Sequence, residues 1–483
     1  MSHYTINVNI INDEVNIRER CYMLDILKNI QHYAKEQPNA IALQFDDDVL
    51  TYEHLHYEIN HAQSHFPELQ AGTRVGLLSD EPMINMIYYF TIQMIGGVPC
   101  FLDGNWSSTV INELIDTYHI QYIVEADATI TPTSVYGASA QYIDDPSQVK
   151  GLLHIGFTSG TTGLPKAYYR NESSWIASYA ENEKLLQQNE TVLAAPGPLA
   201  HSLSLYTCIY ALYSGRHFIG QHHFDAQYLA HYIQKVNQPT ALFLVPTMLY
   251  KLTHIDMPLN QLTSILSSGA KLSTQLFKRV THQFSNANVI EFFGTSEASF
   301  ISYNFNQTAP TDSVGTIFPN VTIQLKDQDV NGIGELEVKS NMTFSGYVNR
   351  HIVTADSWIE TGDYAYIKDD QLYLVSRKSE RLIIGGKNVY PNAIEQQVKA
   401  LEGIEEAVVI GEPHHRFGEI AVLLYLGNRE LDYATLRRYL QQTLSRYEVP
   451  SKLVKVNTLP FTNSGKVARS KVRTLYLKGA FHS

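Results

Sequence analysis

The spacing of apolar residues changes several times along the chain, and each change predicts a different element. Tyr4-Thr5-Ile6-Asn7-Val8-Asn9-Ile10 alternates apolar with polar, which predicts an edge strand or a disordered tail within residues 1–22. From Met23, itself a candidate natural start, Leu24, Ile26, Leu27, Ile30 and Tyr33 form one helical stripe that Pro38-Asn39 stops. Residues 40–45 and 49–52 then flank Asp46-Asp47-Asp48 as the arms of a hairpin. Residues 75–78 begin an alternation of strand and helix, with further short apolar strands at 120–124, 191–194, 241–245, 264–266 and 289–292. Such alternation predicts parallel sheets covered by helices, with ligands beyond the carboxyl ends of the strands. Past Gly332 the texture turns to β, alternating at residues 334–339 and 370–375. A charged run over 377–381 precedes a smaller α+β unit. The predicted organisation is an extension over 1–22 without assigned chemistry, a large α/β domain over 23–376 that ends in a β subdomain, and a small α+β domain over 377–483.

Composition narrows the class. At 483 residues and 44% hydrophobic, the chain exceeds one core and predicts a multidomain soluble enzyme. Its formal charge, 36 − 48 = −12, argues against nucleic acid or an anionic lipid surface as a bulk electrostatic partner, so any phosphate must be gripped locally. Cys21, Cys100 and Cys208 are odd in number and widely spaced, which indicates neither a disulfide framework nor a metal site and fits a reducing cytoplasm. No apolar run reaches ~18 residues and no basic-then-apolar leader opens the chain, so neither a membrane span nor a signal peptide is predicted. Weak peripheral membrane contact stays open.

Chemistry is concentrated in six motifs, each with a plain alternative. Phe157-Thr158-Ser159-Gly160-Thr161-Thr162-Gly163-Leu164-Pro165-Lys166 follows the apolar Leu152-Leu153-His154-Ile155 and reads as a phosphate-gripping loop. Small residues let backbone N–H groups approach an anion, glycines permit positive φ, and Lys166 adds a point charge. It is not a Walker A loop, which would end Gly-Lys-Ser/Thr and run into a helix; alone, it also fits a solvated linker. His201 follows a strand and suits a satisfied polar residue as well as a ligand contact. Phe293-Gly294-Thr295-Ser296-Glu297 offers a ring, a hydroxyl and a carboxylate within one turn, suited to a base, a phosphate oxygen and a Mg2+ ion, or to an ordinary loop. Asp363, just past Gly362, fits the two hydroxyls of a ribose or the capping of a turn. Gly385-Gly386 is a second ligand loop or a hairpin turn. Lys466, beside Gly465, is a reactive lysine or a solvated charge.

In this order and spacing the motifs resemble the acyl-adenylate-forming superfamily of acyl-CoA synthetases, luciferases and peptide-synthetase adenylation domains. The resemblance runs from Met23 to about Val472 and includes Gly411-Glu412-Pro413, Gly418-Glu419 and Tyr447-Glu448-Val449-Pro450. It implies a large domain of stacked, mostly parallel sheets and a small domain that rotates between two half-reactions. In the first, Thr158, Ser159, Gly160, Thr161, Thr162, Gly163 and Lys166 would wrap the β- and γ-phosphates of ATP. Phe293 would stack on adenine, with Gly294 and Thr295 in the same nucleotide loop, Ser296 at the α-phosphate and Glu297 on Mg2+. Asp363, helped by Arg377, would bind the ribose. Lys466 would bridge the substrate carboxylate and the α-phosphate, and with Lys166 and the metal it would offset the repulsion of anion meeting anion; no side chain need act as base.

In the second half-reaction Gly385 and Gly386 would line a narrow channel for the pantetheine arm of CoA, with Ser379 as the pivot of rotation. The family commonly has Asp or Lys at that pivot, Gly where Ser376 stands and Gly where Ala167 stands. The acid pocket would be walled by residues 201–205, Val245-Pro246-Thr247, Ser267-Ser268-Gly269-Ala270 and Ala298-Ser299-Phe300, of which His201, Val245, Ser268, Gly269, Ala270 and Ala298 are the named candidates. These walls are mostly small or apolar. Ser202-Leu203-Ser204-Leu205-Tyr206 stands where amino-acid-activating relatives carry an Asp, which disfavours an amino acid; Phe224-Asp225 begins the next strand–helix unit. The resemblance thus implies a cytoplasmic, ATP-dependent acid–CoA ligase for a fatty or other apolar carboxylic acid, releasing AMP and pyrophosphate. The alternatives are an enzyme that loads a carrier protein and a non-catalytic nucleotide-binding relative. Glu297, Asp363 and Lys466 together argue against the last.

Overall fold

The structure is a computed structural model that describes residues 23–137, 149–158, 164–187, 189–461 and 467–481. The predicted opening stripe forms the helix Asp25–Glu36, which buries Ile26, Leu27 and Ile30. Its start is tied to the body of the fold by the Glu172 carboxylate, which accepts from the Ile26 N–H at 2.7 Å. The hairpin follows as Ile41–Phe45 and Asp48–Thr51, with Asp46 at φ 52° in the turn.

That hairpin is one edge of a thirteen-stranded sheet. From Ile41–Phe45 the sheet runs through His217–Gly220, Val192–Ala194, Thr240–Leu244, Leu262–Ser267 and Asn288–Thr295, all parallel. Strands such as Thr240–Leu244 are buried at every residue, as expected where helices cover both faces. At Asn288–Thr295 the direction changes. Ser299–Phe305 returns antiparallel, and Gly315–Ile317, Gln371–Arg377, Ile359–Lys368, Gly334–Ser340 and Val321–Lys326 continue the ladder. The β subdomain anticipated past Gly332 is therefore an extension of the parallel sheet, and it begins near residue 299. A six-stranded sheet holds Arg74–Leu77, Val98–Phe101, Tyr122–Val124 and Leu152–Thr158 in parallel, with Ile130–Pro132 and Lys166–Asn171 antiparallel at its edges. The helix Ser202–Tyr213 is buried along residues 204–212, which accounts for its nearly unbroken apolar sequence.

The small domain has its own sheet, built from Leu382–Ile384, Lys387–Val389, Ile404–His414, Gly418–Gly427 and Lys452–Lys455. The helices Pro391–Lys399, Tyr433–Leu440 and Arg469–Leu477 complete it. Arg469 is its internal tie, pairing with Glu395 and, at 3.4 Å, with Glu380. Arg377 is the last residue of a strand of the large sheet, and residues 378–380 turn out of it. A compact apolar cluster of Tyr364, Val375 and Tyr390 joins the two units beyond that turn.

Candidate active site

The direction change in the large sheet creates the site. Asn288–Thr295 and Ser299–Phe305 form a hairpin in which Thr295 pairs with Ser299, so Ser296, Glu297 and Ala298 make its turn. Gly294 is required there: a Cβ would stand 1.9 Å from the Ser299 carbonyl oxygen. Thr295 Oγ1 accepts from the Ala298 N–H at 3.0 Å and holds the turn closed.

Two neighbouring segments fix the turn from outside. Phe344 N–H donates to the Glu297 carbonyl at 2.7 Å, and the Tyr347 hydroxyl donates to Glu297 Oε1 at 2.5 Å. Burial and then the nearby Glu297 push the Tyr347 phenol well above its usual range, so it stays a donor. Arg170 donates to the Ser296 carbonyl and, at 3.0 Å, to that of Met342. Residues 345–348 are in turn zipped to the strand Lys166–Asn171, through Tyr169 N–H to Gly346 O, Ser345 N–H to Tyr169 O and Val348 N–H to Ala167 O, each at 2.9 Å. Lys166 opens that strand, pairs in register with Thr158, and places its ammonium 5.6 Å from the Tyr347 ring centroid. Thr158, Lys166, Ser296 and Glu297 are thus brought together by strand pairing across segments far apart in sequence.

Asp363 sits inside the strand Ile359–Lys368, and the turn anticipated for it is absent. It faces Arg377 in register, and Arg377 Nε lies 2.9 Å from Asp363 Oδ1. Asp363 is 4% exposed, and its Oδ2 is buried with no hydrogen-bond partner among the described residues. Burial raises its carboxyl to about 6; Arg377 opposes that shift and Glu297 adds to it. An orphaned buried carboxylate oxygen is costly to leave unmade, and a diol hydroxyl is a donor of the kind that would satisfy it. Glu297 fits a hard divalent cation by the same kind of test: Oε1 is held by Tyr347, and among the described residues Oε2 accepts nothing, leaving one oxygen ligand near the strand that Lys166 opens.

A cavity of about 190 Å3 opens beside the turn. Gly294, Thr295 and Ser296 line it, as do Ser202, Leu203, Ser268, Ser299 and Phe300 from the predicted acid walls. Arg170, Trp175, Tyr206 and Phe292 complete it; of these only Tyr206 was named in the sequence, as the end of the Ser202–Tyr206 run. Five of the six named acid-pocket candidates do not line it. His201 is mostly exposed, with Nε2 at 3.4 Å from Asp103, a contact that pulls the Asp103 carboxyl down to about 2. Val245 precedes the helix Pro246–Leu252 beside Gly269, Ala270 is exposed, and Ala298 is buried in the main core. Phe293 is partly buried against that core. The signal for Arg170 was a lone charge in an apolar strand, Ala167-Tyr168-Tyr169-Arg170; Tyr347 had none.

In the small domain Gly385 and Gly386 form the two-residue turn between Leu382–Ile384 and Lys387–Val389, with φ of 58° and 81°. Positive φ at both positions is the type I′ pattern that favours glycine. Gly386 also lines a groove of about 390 Å3 with Phe417 and Arg473. Ser379 is exposed in the turn after Arg377. Ser159, Gly160, Thr161, Thr162, Gly163, Lys466 and residues 1–22 lie outside the described residues. Among those described, no helix is long and apolar enough to cross a membrane.

Comparison with known proteins gives the same picture from outside. The family model for the AMP-binding enzyme matches residues 30–348, and that for the AMP-binding enzyme C-terminal domain matches residues 393–466. The chain is 63% identical over 459 residues to the protein named "Putative long chain fatty acid-CoA ligase VraA" of Staphylococcus haemolyticus, covering 95% of this chain and 100% of that one. It is 48% identical to the protein of the same name from Staphylococcus epidermidis, over 95% and 100% of the two chains. Among solved structures, ATP-bound MatB from Rhodopseudomonas palustris superposes with a TM-score of 0.76 at 21% identity, covering 94% of this chain and 99% of that one; this is a likeness of fold. A family model over most of the large domain, a second in the small domain and relatives matched along their full length lead to one conclusion: the chain belongs to the AMP-binding enzyme family and, within it, to the acyl-CoA synthetases of the adenylate-forming superfamily.

Proposed function

We propose that the protein joins a predominantly apolar carboxylic acid to CoA at the expense of ATP, by way of an acyl-adenylate, and that Glu297, Asp363 and the Ser296 turn are the nucleotide end of its site. The observation that supports this most directly is the buried Oδ2 of Asp363, unpartnered among the described residues, on a carboxyl close enough to Glu297 for the two charges to act on each other. Asp363 accepts the ribose hydroxyls. The Ser296 turn meets the α-phosphate, and Lys166 and Thr158 hold the outer phosphates. Glu297 would hold Mg2+, which supplies charge neutralisation at the phosphates when bound. The acid lies in the cavity walled by Ser202, Leu203, Ser268, Ser299 and Phe300, with its carboxylate towards Ser296. Lys466 then bridges carboxylate and α-phosphate, and the Gly385-Gly386 turn admits the thiol in the second step.

The test is pyrophosphate release over a library of carboxylic acids, run with CoA and separately with a phosphopantetheinylated carrier protein. Acid-dependent release followed by acyl-CoA formation is expected. Acyl transfer only to the carrier would replace CoA as the acceptor, and nucleotide binding without release for any acid would overturn the ligase reading. Cell fractionation of the native protein, with recovery in the cytoplasmic fraction expected, checks location.

A further inference from the structure

The cavity beside Ser296 has one cationic group in its wall, and that group is poorly compensated. Arg170 enters from the strand Lys166–Asn171 and is 2% exposed, with its guanidinium carbon 5.8 Å from the Tyr168 ring centroid and 6.0 Å from that of Trp175. Nη1 donates to Ser174 Oγ at 3.2 Å and to the Met342 carbonyl, and Nη2 donates to the Ser296 carbonyl. Every one of these acceptors is neutral, and the Glu297 carboxylate in the same turn acts on Arg170 only through space. Among the described residues no carboxylate pairs with Arg170, and its Nε–H is buried without a partner. A buried charge with only neutral partners and an idle donor is costly, and the cost is relieved when an oxygen acceptor is brought to it.

The remaining wall limits what that acceptor can belong to. Trp175, Tyr206, Phe292 and Phe300 present rings, and Tyr206 stacks edge-on against both Trp175 and Phe300. Ser202, Ser268, Thr295, Ser296 and Ser299 add hydroxyls to the wall, and Arg170 is the one charged group among them; a partly apolar chamber with a few convergent polar groups is the arrangement that orients a small ligand.

We propose that the acid activated here carries an oxygen in its tail that accepts from Arg170; the proposal rests on the acid–CoA ligase reading above. Arg170 is then a specificity-determining residue as well as a support of the Ser296 turn.

The test uses the full chain with ATP, Mg2+ and CoA and compares octanoate, the oxooctanoates with the carbonyl at carbons four to seven, and palmitate, by pyrophosphate release and by calorimetric binding. At least one oxooctanoate is expected to exceed octanoate in kcat/KM by ~10-fold or more, since a site built to hydrogen-bond an oxygen discriminates against the analogue lacking it. Arg170→Met is expected to bring the oxooctanoate-to-octanoate ratio close to one, whatever it does to absolute rates, and Arg170→Lys to restore part of it. Octanoate preferred over every oxo acid, or an unchanged ratio in Arg170→Met, overturns the proposal; if that variant does not fold, the ranking by the native enzyme decides alone. Calorimetric preference for an oxooctanoate without pyrophosphate release refutes the ligase reading and keeps the pocket assignment. Pyrophosphate release with no preference does the reverse, and binding of none refutes both.

Discussion

Asp363 shows what the site costs the fold. Its folded carboxyl titrates at about 6 against an ordinary 3.8, chiefly through burial. Between those two values the folded state binds the proton more tightly than the unfolded chain, so this group's contribution to stability falls as pH rises through the window and is flat above it. That is the reverse of the usual paired aspartate. Asp363→Asn removes the penalty, so its unfolding free energy relative to the native protein should improve from pH 4 to pH 7 by up to about 2–3 kcal/mol, measured by urea denaturation at the two pH values. The same variant should lose ATP binding, and in the native protein ATP affinity should weaken as pH falls below about 6. A pH-independent difference in stability would place the raised carboxyl elsewhere. Gly294 makes a steric prediction at the same scale: a Cβ 1.9 Å from the Ser299 carbonyl cannot be relieved by a rotamer change. Gly294→Ala should therefore cost about 1–3 kcal/mol or more in thermal unfolding and abolish adenylation. Asp363, Glu297 and Gly294 could be named as candidates from the sequence because each sits in a short local motif. Arg170 and Tyr347 were not, because their partners lie 126 and 50 residues away.

At the scale of elements, the site depends on the strand Lys166–Asn171 holding residues 345–348, and on that segment holding Glu297. Tyr347 is the last link, a phenol kept protonated by burial and aimed at one carboxylate oxygen. Tyr347→Phe keeps the ring beneath Lys166 and removes only the hydroxyl. It should raise the Mg2+ concentration giving half-maximal activity about 3- to 10-fold at near-normal thermal stability, since a hydrogen bond to a charged group is worth ~1.5–3 kcal/mol and part of that is recovered by water. An unchanged Mg2+ requirement would show that Glu297 is oriented by its own turn. The strand–helix alternation, and with it the parallel half of the large sheet, was readable from apolar runs such as Ala241-Leu242-Phe243-Leu244. The antiparallel return at Ser299–Phe305 was not, because Phe300, Ile301 and Ser302 are buried in succession and the strand shows no alternation. For the same reason Asp363 read as a turn residue. Gly362, at φ 73° inside the strand, lies in the register shift of its pairing with Gly334–Ser340, and sequence alone gives that glycine the same look as a turn.

The two domains meet through little that would resist movement. Beyond the connecting turn, Tyr364, Val375 and Tyr390 form the shared apolar cluster, and Arg381 Nη1 donates to the Tyr364 hydroxyl at 2.7 Å. Among the described residues that cluster, with Ile333 and Tyr366 packed against it, is small, and relative motion is the physical default for domains joined in this way. The connecting turn is closed by the N–H groups of Glu380 and Arg381 on the Arg377 carbonyl, at 3.0 and 3.1 Å, while Lys378 N–H donates to Gly362 and thereby ties the turn to the strand carrying Asp363. Ser379, exposed between these bonds, makes no backbone bond of its own among those of the turn. A proline there removes no hydrogen bond and restricts only φ and the residue before it. Two half-reactions that use different small-domain surfaces should therefore respond unequally. Ser379→Pro should leave acid-dependent pyrophosphate exchange within about 3-fold of native while slowing thioester formation from supplied acyl-AMP by ~10-fold or more. Lys466→Ala should do the opposite, slowing exchange by ~2–4 kcal/mol of barrier and sparing thioester formation. Measuring both steps in both variants separates a pivot from a general defect, because a general defect lowers the two rates together, whereas domain rotation about Ser379 requires that each variant spare the step the other impairs.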